Sequence, residues 1–252
     1  MQTLFIGKNL IFLPQIQSTN SYATQVLKNV NLPEGTLIHT LDQTNGKGQR
    51  GAQWQAEAGQ NLTVSVILKP TFLAIENQFL LYQISALACY DTITELVKSS
   101  QIDIKIKWPN DILVNTKKLG GILIENSLQN NLFNWSVLGI GLNVNQINFE
   151  PGIQANSLKL LCQKDFDLKV IMNLLCQHLE KYYLALINTK FDFIKETYLE
   201  YLFGLNEFND YEIQNEILSL EVKGITDEGL LRLEDRQGTE RIVDVKEARL
   251  MY

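Results

Sequence analysis

Histidine, cysteine and net positive charge are all scarce in this chain. With only His39 and His178 among 252 residues, a machinery built on imidazole has few candidates. His39 falls inside a strand pattern and His178 on the apolar face of a helical one, so both read as structural. Proton transfer, if the chain performs any, then falls to a carboxylate. The three cysteines, Cys89, Cys162 and Cys176, are odd in number, lack zinc-ligand spacing and sit in apolar stretches. That argues against a disulfide framework or a Cys/His metal centre and fits a reducing cytoplasm. A formal charge of -6 argues against indiscriminate binding to nucleic acid or acidic membranes, which needs an excess of cations on one face. The start, Met1 to Ile6, has no basic segment or small-residue cleavage site, and the longest apolar stretch, Phe79 to Tyr90, is broken by Gln83 and Ser85; neither secretion nor membrane spanning is indicated. There is no G-x-S-x-G elbow, no G-x-x-x-x-G-K-[ST] loop and no internal repeat.

What is present organises into one large domain with a small appendage. Asn9 to Leu13, Thr36 to Leu41 and Asn61 to Leu68 read as strands, and Ser18-Thr19-Asn20 supplies N-cap residues for a helix through Ala23, Val26 and Leu27. Ile75 to Val97 has helical apolar spacing and no Gly or Pro, which predicts one long helix. Four strands follow, at 104–108, 111–114, 119–125 and 133–140, with Asn115-Thr116-Lys117 as a hairpin turn. Asp165 to about Leu186 and Phe191 to Leu202 read as amphipathic helices. From about Asn209 short alternating segments (218–222, 230–233, 241–245) separated by Gly224, Gly229 and Gly238 predict a small β-barrel. An edge strand such as 133–140 could pair two copies into a homodimer, and the pattern accommodates burial within one subunit equally well.

Three clusters carry the chemistry. The first, Gln43-Thr44-Asn45-Gly46-Lys47-Gly48-Gln49-Arg50-Gly51, matches G-x-G-x-x-G literally. A dinucleotide fold, however, needs a helix opening at the glycines, and only residues 52–60, with no apolar stripe, precede the next strand. The segment therefore reads as a flap between strands whose Lys47 and Arg50 can close over an anion. The second cluster is Lys107-Trp108-Pro109-Asn110-Asp111, where proline fixes a turn and aims Asn110 and Asp111. The third is Lys117-Lys118-Leu119-Gly120-Gly121, where glycines let a ligand approach the backbone beside Lys118.

In order along the chain, Ser18-Thr19-Asn20, Gln43, the loop Gly46 to Gly51, Trp54, Asn61-Leu62, Lys107 to Asp111, Lys118 to Leu123 and Gly139-Ile140-Gly141-Leu142-Asn143 resemble the biotin–protein ligases. The resemblance covers nearly the whole chain, and Lys-Trp-Pro-Asn-Asp followed by Lys-Leu-x-Gly-Ile-Leu is its most specific part. It implies an α+β fold, a mixed β-sheet flanked by helices of the class II aminoacyl-tRNA synthetase/biotin synthetase type, over residues 1–205. An SH3-like β-barrel would occupy 206–252. It implies adenylation of biotin by ATP, which would bring its Mg2+ with it, and then transfer to a lysine of a biotin carboxyl carrier protein. No permanently bound cofactor or protein-held metal is expected.

By the same resemblance Lys47, Arg50, Asp111 and Lys118 are the catalytic residues. Biotin would meet Ser18, Thr19, Asn20, Gln43, Gly46, Lys47, Lys118, Gly121, Gly139 and Gly141. The nucleotide would meet Gln49, Arg50, Gly51, Trp54, Asn61, Lys107, Asn110 and Asn143. Two departures stand out. Many bacterial relatives carry Arg where this chain has Gln49, and glutamine supplies hydrogen bonds without charge, losing about 1–2 kcal/mol of anion stabilisation. Ser18 also lies too near the start for a winged helix-turn-helix to precede it, so repressor activity is not expected. The rival readings are a lipoate–protein ligase and a noncatalytic biotin- or nucleotide-binding regulator, which would need none of Lys47, Asp111 and Lys118.

Overall fold

A computed structural model describes residues 2–98 and 102–251. Its centre is a seven-stranded sheet of β1 (Leu10–Ile16), β2 (Leu37–Gln43), β3 (Leu62–Leu68), β4 (Ile104–Lys107), β5 (Asp111–Val114), β6 (Lys117–Gln129) and β7 (Leu132–Leu142). The spatial order is β1-β2-β3-β7-β6-β5-β4. β1 runs parallel to β2 and every other neighbouring pair is antiparallel, so the mixed sheet expected from the sequence is present. The helices are α1 (Thr19–Leu27), α2 (Phe79–Val97), α3 (Leu158–Cys162), α4 (Leu168–Ile187) and α5 (Phe191–Glu200).

Two layers cover the sheet. On one face α2 packs with α4 and α5 over a large core that includes Val64, Leu81, Ile84, Ile122, Ile140 and Leu179. On the other, α1 covers a small cluster of Ala23, Ile38, Ile67 and Val137. β3 lies between the layers and all seven of its residues are buried. Its polar positions tolerate burial because each is bonded: Ser65 Oγ donates to Asn20 Oδ1 at 2.6 Å, and Thr63 Oγ1 donates to the Thr40 carbonyl at 3.1 Å.

Several expected bounds move. A single 3-10 turn at Ile75–Asn77 precedes α2, which therefore starts later than its apolar spacing suggested. β6 and β7 extend into a long hairpin turned by Asn130 and Asn131, at φ 51° and 61°, the left-handed pair that a tight hairpin requires. Asn115 and Thr116, at φ 49° and 64°, turn β5 into β6 as predicted. The segment 133–140 is not an edge: β7 sits between β3 and β6, and the outer strands are β1 and β4. Its long apolar pattern reflects burial between neighbours rather than a surface for self-association. His178 also departs from expectation, since its Nε2 lies 3.1 Å from Glu95 Oε2 in a half-buried charged cluster.

The carboxy-terminal segment forms a second sheet of β8 (Phe208–Ile213), β9 (Glu216–Ile225), β10 (Leu231–Glu234), β11 (Glu240–Val243) and β12 (Ala248–Leu250), in the order β11-β10-β9-β8-β12. Among the described residues β11 and β12 remain its two edges and do not pair, so the expected barrel is met only as a five-stranded antiparallel sheet. It is fastened to the first sheet near the Lys107–Asp111 turn: Trp108 Nε1 donates to the Gly229 carbonyl at 2.8 Å.

The amino-terminal residues are tied down by one buried carboxylate. Glu180 of α4 accepts the backbone N–H groups of Leu4, Phe5 and Ile6 at 2.6, 2.8 and 2.9 Å. Glu180→Ala strands those donors, and it is expected to cost about 3 kcal/mol, a fall in Tm of roughly 6–12 °C. Calorimetry checks this; a shift below about 2 °C would show that the anchor contributes little.

Candidate functional site

The site begins as a bare patch of sheet. Register places Asp111, Gly121, Gly141 and Thr63 in one row across β5, β6, β7 and β3, and Leu123, Gly139 and Ser65 in the next. The glycines leave the sheet's own surface open where side chains would stand. Two groups from elsewhere use that room. A Cβ on Gly139 would come within 2.3 Å of Asn20 Oδ1, and one on Gly141 within 2.4 Å of Trp54 Cε2, closer than atoms can approach.

Asn20 is therefore seated on β7 at the start of α1, where Ser18 caps the helix by accepting Ser21 N–H. Its Nδ2 donates to the Leu123 carbonyl at 3.1 Å and to Glu125 Oε2 at 3.0 Å. Gln43 Oε1 accepts from Thr19 N at 2.9 Å and from Thr19 Oγ1 at 3.2 Å. Bonding of this kind fixes both side chains before any ligand arrives.

The glycine-rich loop is a short hairpin. Trp54 N donates to the Gly46 carbonyl at 3.0 Å and Gly48 N to the Ala52 carbonyl at 2.7 Å, with a turn at Gln49–Gly51. A Cβ on Gly46 would meet the Trp54 carbonyl oxygen at 2.2 Å, so glycine is what lets the two arms close. The flap between strands inferred from the sequence is thus present, with Lys47 on its near arm and Trp54 on its far arm.

Two cavities flank Trp54. The smaller, about 230 Å³, is lined by Thr19, Asn20, Gln43, Lys47, Gln49 and Trp54 from above and by Asn110, Asp111, Lys118, Gly121, Gly139 and Gly141 from the sheet. The larger, about 920 Å³, also takes in Gln43, Gly46, Trp54 and Lys118, and adds Asn143 and a segment bearing Gln146, Asn148, Phe149, Glu150 and Ile153. Lys118 stands at the junction. Its Nζ lies 2.7 Å from Asp111 Oδ1 and 5.8 Å from the centre of the Trp54 ring. The ion pair is close but not directed as a hydrogen bond, so Asp111 Oδ1 is buried with no hydrogen-bond partner among the described residues, as is Trp54 Nε1.

Most of the residues singled out in the sequence meet here. Thr19, Asn20, Gln43, Lys47, Lys118, Gly121, Gly139 and Gly141 share the smaller cavity, and Gln49 and Asn110 join them there rather than in the larger space. Gly46, Trp54 and Asn143 line the larger one.

Five do not line either cavity. Ser18 is buried as a helix cap. Asn61 is buried and braces the chain behind the larger cavity, accepting Val144 N–H at 3.0 Å and donating to Gln146 Oε1. Gly51 is exposed at the hairpin tip. Lys107 faces a separate groove against the carboxy-terminal sheet. Arg50, at φ 56°, also borders that groove, and its guanidinium lies 3.5 Å from Asp244. Of the three cations expected to be catalytic, Lys47 and Lys118 share the smaller cavity, whereas Arg50 is drawn aside by Asp244, just beyond β11.

The segment 146–155 was missed in the sequence, where its Asn, Gly and Pro signal only a loop. It reaches the site through hydrogen bonds to β6, Lys118 N to the Gln154 carbonyl and Asn156 N to the Lys118 carbonyl, each at 2.9 Å. His39 plays no part: its Nδ1 lies 3.2 Å from the Thr63 carbonyl, and burial lowers its pKa. No group of three or more His, Cys, Asp or Glu among the described residues could hold a metal.

Residues 12–143 match the sequence model of the biotin/lipoate A/B protein ligase family, over half of the chain. The chain belongs to that family. The bifunctional ligase/repressor BirA of Bacillus subtilis is 30% identical over 246 residues, which is 96% of this chain and 74% of that protein. The biotin–[acetyl-CoA-carboxylase] ligase of Mycobacterium tuberculosis is 32% identical over 125 residues, 50% of this chain and 45% of its own. Among solved structures, the biotin protein ligase of Aquifex aeolicus in complex with biotin and ATP superposes with a TM-score of 0.80 at 25% identity, covering 97% of this chain and 99% of that one.

The seating of the indole on a glycine gives a direct test. Gly141→Ala has no room for its methyl beneath Trp54, so the ring is expected to leave the sheet, with red-shifted and more readily quenched tryptophan emission. An unchanged spectrum and quenching constant would mean that the ring does not rest there.

Proposed function

We propose that this family member is a biotin–protein ligase that converts biotin and ATP into biotinyl-5′-AMP and then passes the biotinyl group to a lysine of a biotin carboxyl carrier protein. The observation that carries the reading is the position of Lys118, shared by both cavities, paired with Asp111 and across the smaller cavity's wall from Lys47. The smaller cavity suits biotin: the amides and hydroxyl of Thr19, Asn20 and Gln43 can read its ureido ring against a glycine floor. The larger cavity suits the nucleotide, and the two substrates would meet beside Trp54.

In the first step a carboxylate oxygen of biotin attacks the α-phosphorus, and the bond to pyrophosphate breaks. Pyrophosphate leaves with the Mg2+ that entered as part of the ATP complex. Two anions must come within bonding distance, a repulsion that grows as water is excluded. Lys47 and Lys118 offset it with fixed cations on either side. Arg50 can join them only by exchanging Asp244 for phosphate. Since both members of that pair are 40–50% exposed, the exchange costs little.

In the second step a lysine amine attacks the acyl carbon and AMP leaves. The amine must lose a proton, and Asp111, with Oδ1 buried and unbonded except to the Lys118 charge, is the carboxylate positioned to take it. We assign residues 1–205 to the catalytic domain and 206–252 to a carboxy-terminal unit whose five strands we infer to be SH3-like. We also infer a reducing, cytoplasmic setting. Burial pushes the Cys176 thiol up to about 12, which leaves it inert, and among the described residues no helix is long and apolar enough to cross a membrane. Lipoyl transfer is not favoured, since the Mycobacterium tuberculosis relative and the Aquifex aeolicus structure named above are biotin ligases.

Incubation with biotin, MgATP and a carrier domain is expected to add one biotinyl mass to a single carrier lysine. Lipoyl transfer, or binding without product, would reject the reading. Lys118→Ala is expected to slow adenylate formation by about a hundredfold or more while leaving far-UV circular dichroism unchanged. Asp111→Asn is expected to slow transfer from preformed adenylate more than adenylate formation itself. Full activity in Lys118→Ala would remove that residue from the mechanism.

A further inference from the structure

The loop that walls the smaller cavity has two side-chain ties at its tip to the body of the protein. One is the Arg50–Asp244 ion pair, 3.5 Å long with both side chains more than two-fifths exposed, the kind of contact that contributes little in water. The other is neutral and better sheltered. Gln49 Nε2 donates to the Tyr82 hydroxyl at 3.2 Å, and the same oxygen accepts the backbone N–H of Ile124 at 3.3 Å. Ile124 lies one residue beyond Leu123 on the strand that floors the cavity. Tyr82 thus ties one wall of the cavity to the strand of its floor through one atom.

The ring that carries this oxygen is itself held. Tyr82 stacks on Phe79 with centroids 5.9 Å apart and planes at 26°. Phe79 is capped by Gly229 in the turn between β9 and β10, where a Cβ would meet the ring at 2.4 Å. Burial raises the Tyr82 pKa, so the phenol stays neutral and hydrogen-bonding throughout the ordinary pH range. Within the loop itself the Gly46–Trp54 and Gly48–Ala52 bonds close the hairpin, but they do not fasten it to anything else.

We propose that Tyr82 is a positioning residue that holds the loop 46–54 closed through Gln49, and so holds in place the wall of the smaller cavity. Lys47, Gln49 and Trp54 all lie on that loop and line the smaller cavity, so its opening frees whatever acyl phosphate the cavity holds. This rests on the ligase reading for the identity of the ligand, but not for the clasp.

Two variants separate the clasp from general damage. Tyr82→Phe removes the hydroxyl and keeps the ring on Phe79, while Gln49→Leu removes the donor and leaves the Ile124 bond in place. In the ligand-free protein each is expected to raise the rate of tryptic cleavage at Lys47 and Arg50 about fivefold, the factor set by one net hydrogen bond. The double variant should be no faster than either single one. In protein loaded with labelled biotin and MgATP, then chased with unlabelled biotin, both should release adenylate about fivefold faster, with adenylate formation altered less than twofold in Tyr82→Phe. Cleavage unchanged within twofold in Tyr82→Phe, or additive effects in the double variant, would overturn the clasp. Faster cleavage of both variants, with a wild-type protein that forms no adenylate, would uphold the clasp and reject the ligase reading instead.

Discussion

A face of β-sheet without side chains is the constraint on which the rest of the site depends. Gly121 and Gly141 lie opposite one another on β6 and β7, with Gly139 two residues along, so the strands present only backbone there. Everything functional is layered on that floor: Asn20 over Gly139, Trp54 over Gly141 and beside Gly121. Lys118 and Asp111 stand at its margin. A methyl group at either β7 glycine would displace the group above it, and no compensating shift of backbone is available in the middle of a seven-stranded sheet.

The charged groups follow from this floor. Asp111 is the residue across from Gly121 on β5, so its carboxylate arrives in the glycine row. The register shift between Ile112 and Leu113 then brings Lys118 opposite Leu113 and within 2.7 Å of that carboxylate. Trp54 closes the top by lying between the two cavities rather than at the end of one. The hairpin makes that reach feasible, because its glycines allow the arms to approach more closely than side chains would permit.

The carboxy-terminal sheet contributes to the site more than its position in the chain would suggest. Gly229 bonds Trp108 and covers Phe79, and Asp244 holds Arg50. Changes in this sheet can therefore reach the loop through both Phe79–Tyr82 and Asp244–Arg50 without touching either cavity.

Local patterns in the chain determined a good deal. The N-cap run Ser18-Thr19-Asn20, the Asn115-Thr116 turn, the long α2 and the three clusters at 43–51, 107–111 and 117–121 are short-range features whose chemistry depends on neighbours a few residues away, and each is found close to where the pattern put it. Only the tertiary structure decided the remainder. Arg50 lies outside the cavity its neighbours line because a carboxylate almost two hundred residues later competes for it. Tyr82 was invisible as a partner for Gln49, since nothing local marks one tyrosine in a buried helix. The segment 146–155 reads as an ordinary loop until its hydrogen bonds to β6 bring it over the larger cavity, and β7 proved interior because it pairs with β3 on one side and β6 on the other. In each case the deciding contact joins positions far apart in sequence, and a linear pattern holds no information about which of its distant charges and hydroxyls folding will bring within hydrogen-bonding distance.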